Sequence, residues 1–112
     1  MSVIMTLRTK ADPRKLEEYA AENQEAFGAV AERAKNHGVI AHRFYGSDDG
    51  QVLVVDEWPD PQSFQSFFEQ SRGDIQPMME AAGAQGEPEV TFWHELDAGF
   101  SGRQRLTKRA RD

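Results

Sequence analysis

The stretch Val52–Phe64, VLVVDEWPDPQSF, decides the reading of this 112-residue chain. Four aliphatic residues in a row are strand-like. The run then acquires Asp56, Glu57 and Trp58, and breaks at Pro59-Asp60-Pro61. An aspartate followed by proline is a helix start: the carboxylate caps the free N–H groups, and proline suits the first turn. A strand therefore feeds a helix. Asp12-Pro13 makes the same signal 48 residues earlier, after the strand-like SVIMTLRT at 2–9.

Working outward, each half repeats strand, Asp-Pro, helix, strand. After Asp12-Pro13, the apolar residues Leu16, Tyr19, Ala20, Phe27, Val30, Ala31 and Ala34 recur at helical spacing. One long helix is expected, ending at KNHG, with Gly38 as its left-handed cap. Strands follow at 39–46 and 51–58, joined by the turn residues SDDG. Two short helices come next: one shows Phe64, Phe67 and Phe68, and the other is capped by Asp74 and stopped by Gly83. A last strand spans 87–96. The order is βαββαβ, an α+β, ferredoxin-like plan with a four-stranded antiparallel sheet. Both strand faces are apolar mid-strand, with Val52 and Val54 against Leu53 and Val55. Helices cover one face, so a second copy is expected on the other, as a homodimer.

Composition narrows the function classes. A chain of this length is expected to be one domain, residues 1–97, followed by a basic tail, 98–112. There is no cysteine, hence no disulfide frame or thiolate metal site. No apolar run approaches a membrane span, and the N-terminus lacks signal-peptide features, so a cytoplasmic location is expected. Residues 1–97 carry eight basic and eighteen acidic side chains, which argues against nucleic acid as a partner. The tail carries five basic residues and one acidic residue; nucleic acid or another anion is left open for it alone.

The element order, the length and the stretch VVDEWPDPQSF resemble the antibiotic biosynthesis monooxygenase family of dimeric α+β barrel proteins. In that family the third strand ends in an acid, one residue, then Trp, with an aromatic residue six positions on. Asp56, Trp58 and Phe64 occupy those places. The resemblance covers about residues 2–96. It implies a cofactor-independent monooxygenase, or a related protein, acting on or binding an aromatic, phenol-like small molecule. This chain departs from parts of the pattern. Val54 stands where the quinone-forming members carry Asn, and Phe64 where they carry Tyr. The first strand has no Asn and residues 61–83 have no His, against haem degradation. No metal, nucleotide or acyl-enzyme motif is present, and no cofactor is expected.

The resemblance places the tryptophan on the helix-covered side, over a pocket. A two- or four-residue hairpin loop gives Arg43 and Tyr45 the same face as Asp56 and Trp58, and turns His42 and Phe44 toward the partner. Arg43 and Asp56 are then either a structural ion pair or a clamp, with Asp56 taking a proton and Arg43 holding an anion. Trp58 is a core plug or a stacking wall. Phe64, Phe67, Phe68, Met78 and Met79 fill the core or line the pocket. Asn23, on the apolar stripe, reaches solvent or a ligand oxygen. His42 and His94 are interface residues or bases, and the faces of His94 and Trp93 are undecided. Three functions stand: the monooxygenase, a cyclase or isomerase on a similar scaffold, and a non-catalytic ligand-binding or interaction dimer.

Overall fold

The computed structural model describes residues 1–99. The expected basic tail lies outside the described residues from residue 100 on. The elements are β1 (Val3–Lys10), α1 (Pro13–Glu22), α2 (Gln24–Asn36), β2 (Ala41–Gly46), β3 (Gln51–Trp58), α3 (Pro61–Ala81) and β4 (Gln85–Trp93). The sheet order is β2-β3-β1-β4, with every neighbouring pair antiparallel. This is the ferredoxin-like α+β fold, with its helices on one face.

Both Asp-Pro signals act as helix starts. Asp12 accepts hydrogen bonds from Arg14 N (2.9 Å) and Lys15 N (3.4 Å). Asp60 accepts from Ser63 N (2.8 Å) and Ser63 Oγ (2.9 Å), which holds its carboxyl below the usual carboxylate value. Gly38 ends α2 at φ +96°, and Gly83 follows α3 at φ +74°. Both are left-handed positions that favour glycine.

The helices depart from expectation in two places. The first long helix is broken at Asn23, whose φ of −133° and ψ of 48° leave the helical region. The Asn23 side-chain amide donates to Tyr19 O at 2.9 Å, competing with the helix for a backbone carbonyl. Conversely, the two short helices expected in the second half are one, α3, of 21 residues. It runs through Gly73 and contains Pro77, which cannot donate to the preceding turn. Asp74 is not a cap. It accepts from Arg33 Nη1 at 2.8 Å, and the same nitrogen donates to the fully buried Ser71 Oγ at 3.1 Å. A guanidinium on α2 thus ties the mid-section of α3, where local propensity is weakest.

Strand alternation builds the core. Met5 and Leu7 of β1 and Val52, Asp56 and Trp58 of β3 point under the helices. Trp58 is 0% exposed, enclosed by Phe64 (ring centroids 5.7 Å) and Phe67 (5.4 Å). Burying an indole removes about 150–250 Å² from water, and truncating it to alanine costs about 3–5 kcal/mol. The opposite sheet face carries Ile4, Leu53, Val55, Tyr45 and Trp93, with no helix over it among the described residues.

The hairpin sets the faces, and it overturns the expected register. Ser47 N donates to Gln51 O at 2.9 Å, enclosing a three-residue loop, Asp48–Gly50, with Gly50 at φ +85°. A glycine in the left-handed region is the mark of that loop class. An odd loop reverses the parity that even loops share. His42 pairs with Asp56, Arg43 with Val55, Phe44 with Val54 and Tyr45 with Leu53. His42 and Phe44 therefore join Asp56 and Trp58 under the helices, while Arg43 and Tyr45 stand on the open face.

Candidate functional site

Asp56 is 3% exposed, and both of its oxygens are engaged. Trp58 Nε1 donates to Oδ2 at 3.1 Å, and His42 Nδ1 lies 2.6 Å from Oδ1. An ionised carboxylate only accepts, so the proton of that bond sits on Nδ1. In the neutral ring Nε2 is then left with its lone pair, and it has no partner among the described residues. The side chain of His42 is 44% exposed against 4% for Asp56, so the pair runs from the core to an accessible ring. The His42 ring also meets the edge-on ring of Phe44, with centroids 4.8 Å apart. An aspartate that fixes one imidazole nitrogen while the other stays open is an arrangement suited to proton transfer.

The pair borders a cavity of about 360 Å³ between the sheet and the helices. That volume lies within the range of small-molecule sites, about 300–1,000 Å³. The walls are mostly aliphatic and aromatic: Leu7 and Val54 from the sheet, Phe27 and Val30 from α2, and Phe68 and Met79 from α3. His42, Asp56, Thr9 and Lys35 are the polar residues on the lining. An apolar chamber with a few polar groups holds a flat apolar body and orients it through its polar substituents.

The expected site residues divide. Phe64, Phe67, Phe68, Met78 and Met79 line the cavity, as do Asp56 and His42. Arg43 and Tyr45 do not; the odd loop turns both to the open face, so the Arg43–Asp56 pair does not exist. The partner of Asp56 is His42 instead. Trp58 lies behind the cavity wall, sealed by phenylalanines, and is the plug rather than a stacking surface. Asn23 belongs to the helix break and is not on the lining. Trp93 is on the open face, opposite Ile4, with Nε1 donating to Thr6 Oγ1 at 2.8 Å. His94 lies just past the end of β4 and is exposed. Sequence reasoning missed Phe44, through the parity error, and Thr9. The signal for Thr9 was present: it continues the inward series Met5, Leu7 at a spacing of two.

Comparison with known proteins agrees with this architecture. A family model described as "Uncharacterized conserved protein (DUF2203)" matches residues 84–106 only. No curated protein matches the sequence. Solved structures match over most of the chain. A monooxygenase from the gene ActVA-Orf6 of Streptomyces coelicolor, in complex with nanaomycin D, has a TM-score of 0.66 at 19% identity; 90% of this chain and 93% of that chain are covered. A dimeric ferredoxin-like protein from an uncultured marine organism has a TM-score of 0.62 at 12% identity, covering 90% of this chain and 93% of its own. SnoaB, a cofactor-independent oxygenase from Streptomyces nogalater, has a TM-score of 0.53 at 18% identity, covering 96% and 98%. The structural neighbours are antibiotic biosynthesis monooxygenase-type, ferredoxin-like proteins, and this chain has their fold.

Proposed function

We propose that the protein is a cofactor-independent monooxygenase acting on an aromatic, phenolic small molecule. The observation that carries this reading is the buried Asp56 bound to a half-exposed His42 at the border of an apolar cavity. His42 Nε2 is the base and Asp56 the positioning residue. Of the bases expected from sequence, Asp56 or a histidine, this reading takes His42 and makes Asp56 its positioning residue.

The chemistry needs little from the protein beyond one proton acceptor and a dry chamber. His42 removes the proton of a phenol whose para carbon carries hydrogen. The electron-rich ring carbon gives electrons to oxygen, and a carbon–oxygen bond forms, leaving a hydroperoxide. Loss of water then gives the quinone. One oxygen atom enters the product and the other leaves as water, so the four electrons removed from the substrate match the four taken up by oxygen. The apolar walls exclude bulk water, which strengthens the electrostatic effect of the fixed dyad.

Two copies pair through the open sheet face. Ile4, Tyr45 and Trp93 are exposed there beside Leu53 and Val55, and a dimeric protein is among the structural neighbours. Light scattering is expected to give twice the 12.6 kDa chain mass; a stable monomer at micromolar concentration would contradict the pairing.

Oxygen-electrode assays with phenols and hydroxynaphthalenes test the activity. Uptake matched by quinone formation, and lost in His42→Ala with the circular dichroism spectrum unchanged, is the expected result. Turnover without oxygen uptake would make the protein a cyclase or isomerase. Saturable binding with no turnover of any compound would favour the non-catalytic reading.

A further inference from the structure

The cavity has a second polar point, far from the dyad. Thr9 continues the inward series of β1, is 8% exposed and lines the cavity. Its Oγ1 is buried and has no hydrogen-bond partner among the described residues. The hydroxyl of fully buried Ser71, by contrast, accepts from Arg33, and that of Thr6 accepts from Trp93. A buried hydroxyl without a partner lowers stability, and valine has nearly the same shape without that cost. The sheet is also irregular beside it. The β1–β4 pairing runs Arg8 to Glu89 and then Lys10 to Gln85, so the register slips on either side of Thr9. Such irregularities gather next to functional sites.

We propose that Thr9 Oγ1 is the second anchor of the ligand site, accepting from or donating to a polar group at the far end of a two-ended aromatic ligand. This rests on the cavity being the substrate site. Asp56 is paired with Met5, and Thr9 lies four residues further along β1, about 13 Å away at about 3.3 Å per residue. Leu7 and Val54, paired with each other, form the apolar floor between them. Both Asp56 oxygens are taken, so at that end the ligand meets His42 Nε2 on the next strand out; allowing a hydrogen bond of about 2.8 Å at each end then leaves at least about 7 Å between the ligand's polar atoms. That is the separation of oxygens at opposite ends of two fused six-membered rings. A hydroxyl can donate or accept and rotates to suit its partner, so it selects for a polar group there without fixing its protonation.

The test compares 2,6-dihydroxynaphthalene with 2-naphthol by titration calorimetry, against the wild type, Thr9→Val, Thr9→Ser and His42→Ala. The wild type is expected to prefer the diol about fivefold to tenfold beyond the statistical factor of two from its symmetry. Thr9→Val should lose that preference while keeping its affinity for 2-naphthol, and Thr9→Ser should retain it. The melting temperature of ligand-free Thr9→Val should equal or exceed that of the wild type. An unchanged preference in Thr9→Val overturns the proposal. So does a lower melting temperature with the preference unchanged, which would mark the hydroxyl as internally satisfied. Failure of the wild type to bind either compound also overturns it. The base assignment fails separately: His42→Ala would then retain oxygen uptake with 1-naphthol, whose para carbon carries hydrogen, while the Thr9-dependent preference persists.

Discussion

His42 and Asp56 face each other as directly paired residues of β2 and β3, with Nδ1 and Oδ1 2.6 Å apart. One residue more or fewer in the Asp48–Gly50 loop would put a different side chain opposite Asp56. The site depends on the loop as much as on the dyad.

Asp56→Asn keeps the shape but replaces one acceptor oxygen with a donor. The His42 ring is then free to present Nδ1 as its acceptor, and the base is disoriented. Turnover is expected to fall by about 10²-fold or more, with little change in KM, as steady-state oxygen uptake would measure. Asp56→Leu additionally leaves the Trp58 N–H without an acceptor in the core and should cost about 1–3 kcal/mol in urea unfolding.

Arg43 separates the two possible registers. It stands on the open face, opposite Val55. Arg43→Leu is expected to leave ligand affinity unchanged within about twofold, whereas His42→Leu should abolish turnover. Loss of ligand binding in Arg43→Leu, measured at a protein concentration where association is complete, would contradict the three-residue loop.

Gly50 makes the loop possible. Its φ of +85° costs a residue with a side chain about 1–2 kcal/mol. Gly50→Ala should lower stability by that amount, read from denaturant midpoints, without altering the cavity.

Arg33 holds α3 together where Gly73 and Pro77 weaken it. The ion pair to Asp74 is partly exposed and contributes little by itself; the bond to buried Ser71 is worth about 1 kcal/mol. Arg33→Met is expected to raise amide exchange across the second half of α3 more than in its first half. Uniform exchange along the helix would show that the tie is redundant.

Asp60 gives a pH signature. Its bonds to the Ser63 backbone and hydroxyl hold its folded carboxyl below the usual value of 3.8. Such a group stabilises fully above its unfolded pKa, and its contribution is lost as pH falls through the lower folded value. The difference in melting temperature between wild type and Asp60→Ala should therefore be constant from pH 6 to 8. It should shrink below about pH 3.8. A difference that grows on acidification would contradict the assignment.

The sequence by itself determined the element order, because its signals are local. Asp12-Pro13 and Asp60-Pro61 cap helices through their own neighbours, and Gly38 and Gly83 end them by backbone conformation alone. The alternation of Met5, Leu7 and Thr9 was also written in the sequence, though sequence reasoning missed it. The tertiary structure decided which side chains meet across strands. Parity in a hairpin turns on one residue of loop length, and SDDG accommodates either count; the three-residue choice moved His42 to Asp56 and removed Arg43. Tertiary contact also decided the helices. Arg33 bridges to Ser71 and Asp74 from 38 and 41 residues away, overriding the weak propensity of Gly73 and Pro77. Asn23 broke the first helix by taking the Tyr19 carbonyl, a choice that an apolar stripe at helical spacing does not record. The orphaned hydroxyl of Thr9 belongs to the same class, since a missing partner becomes visible only when everything that could reach it is in place.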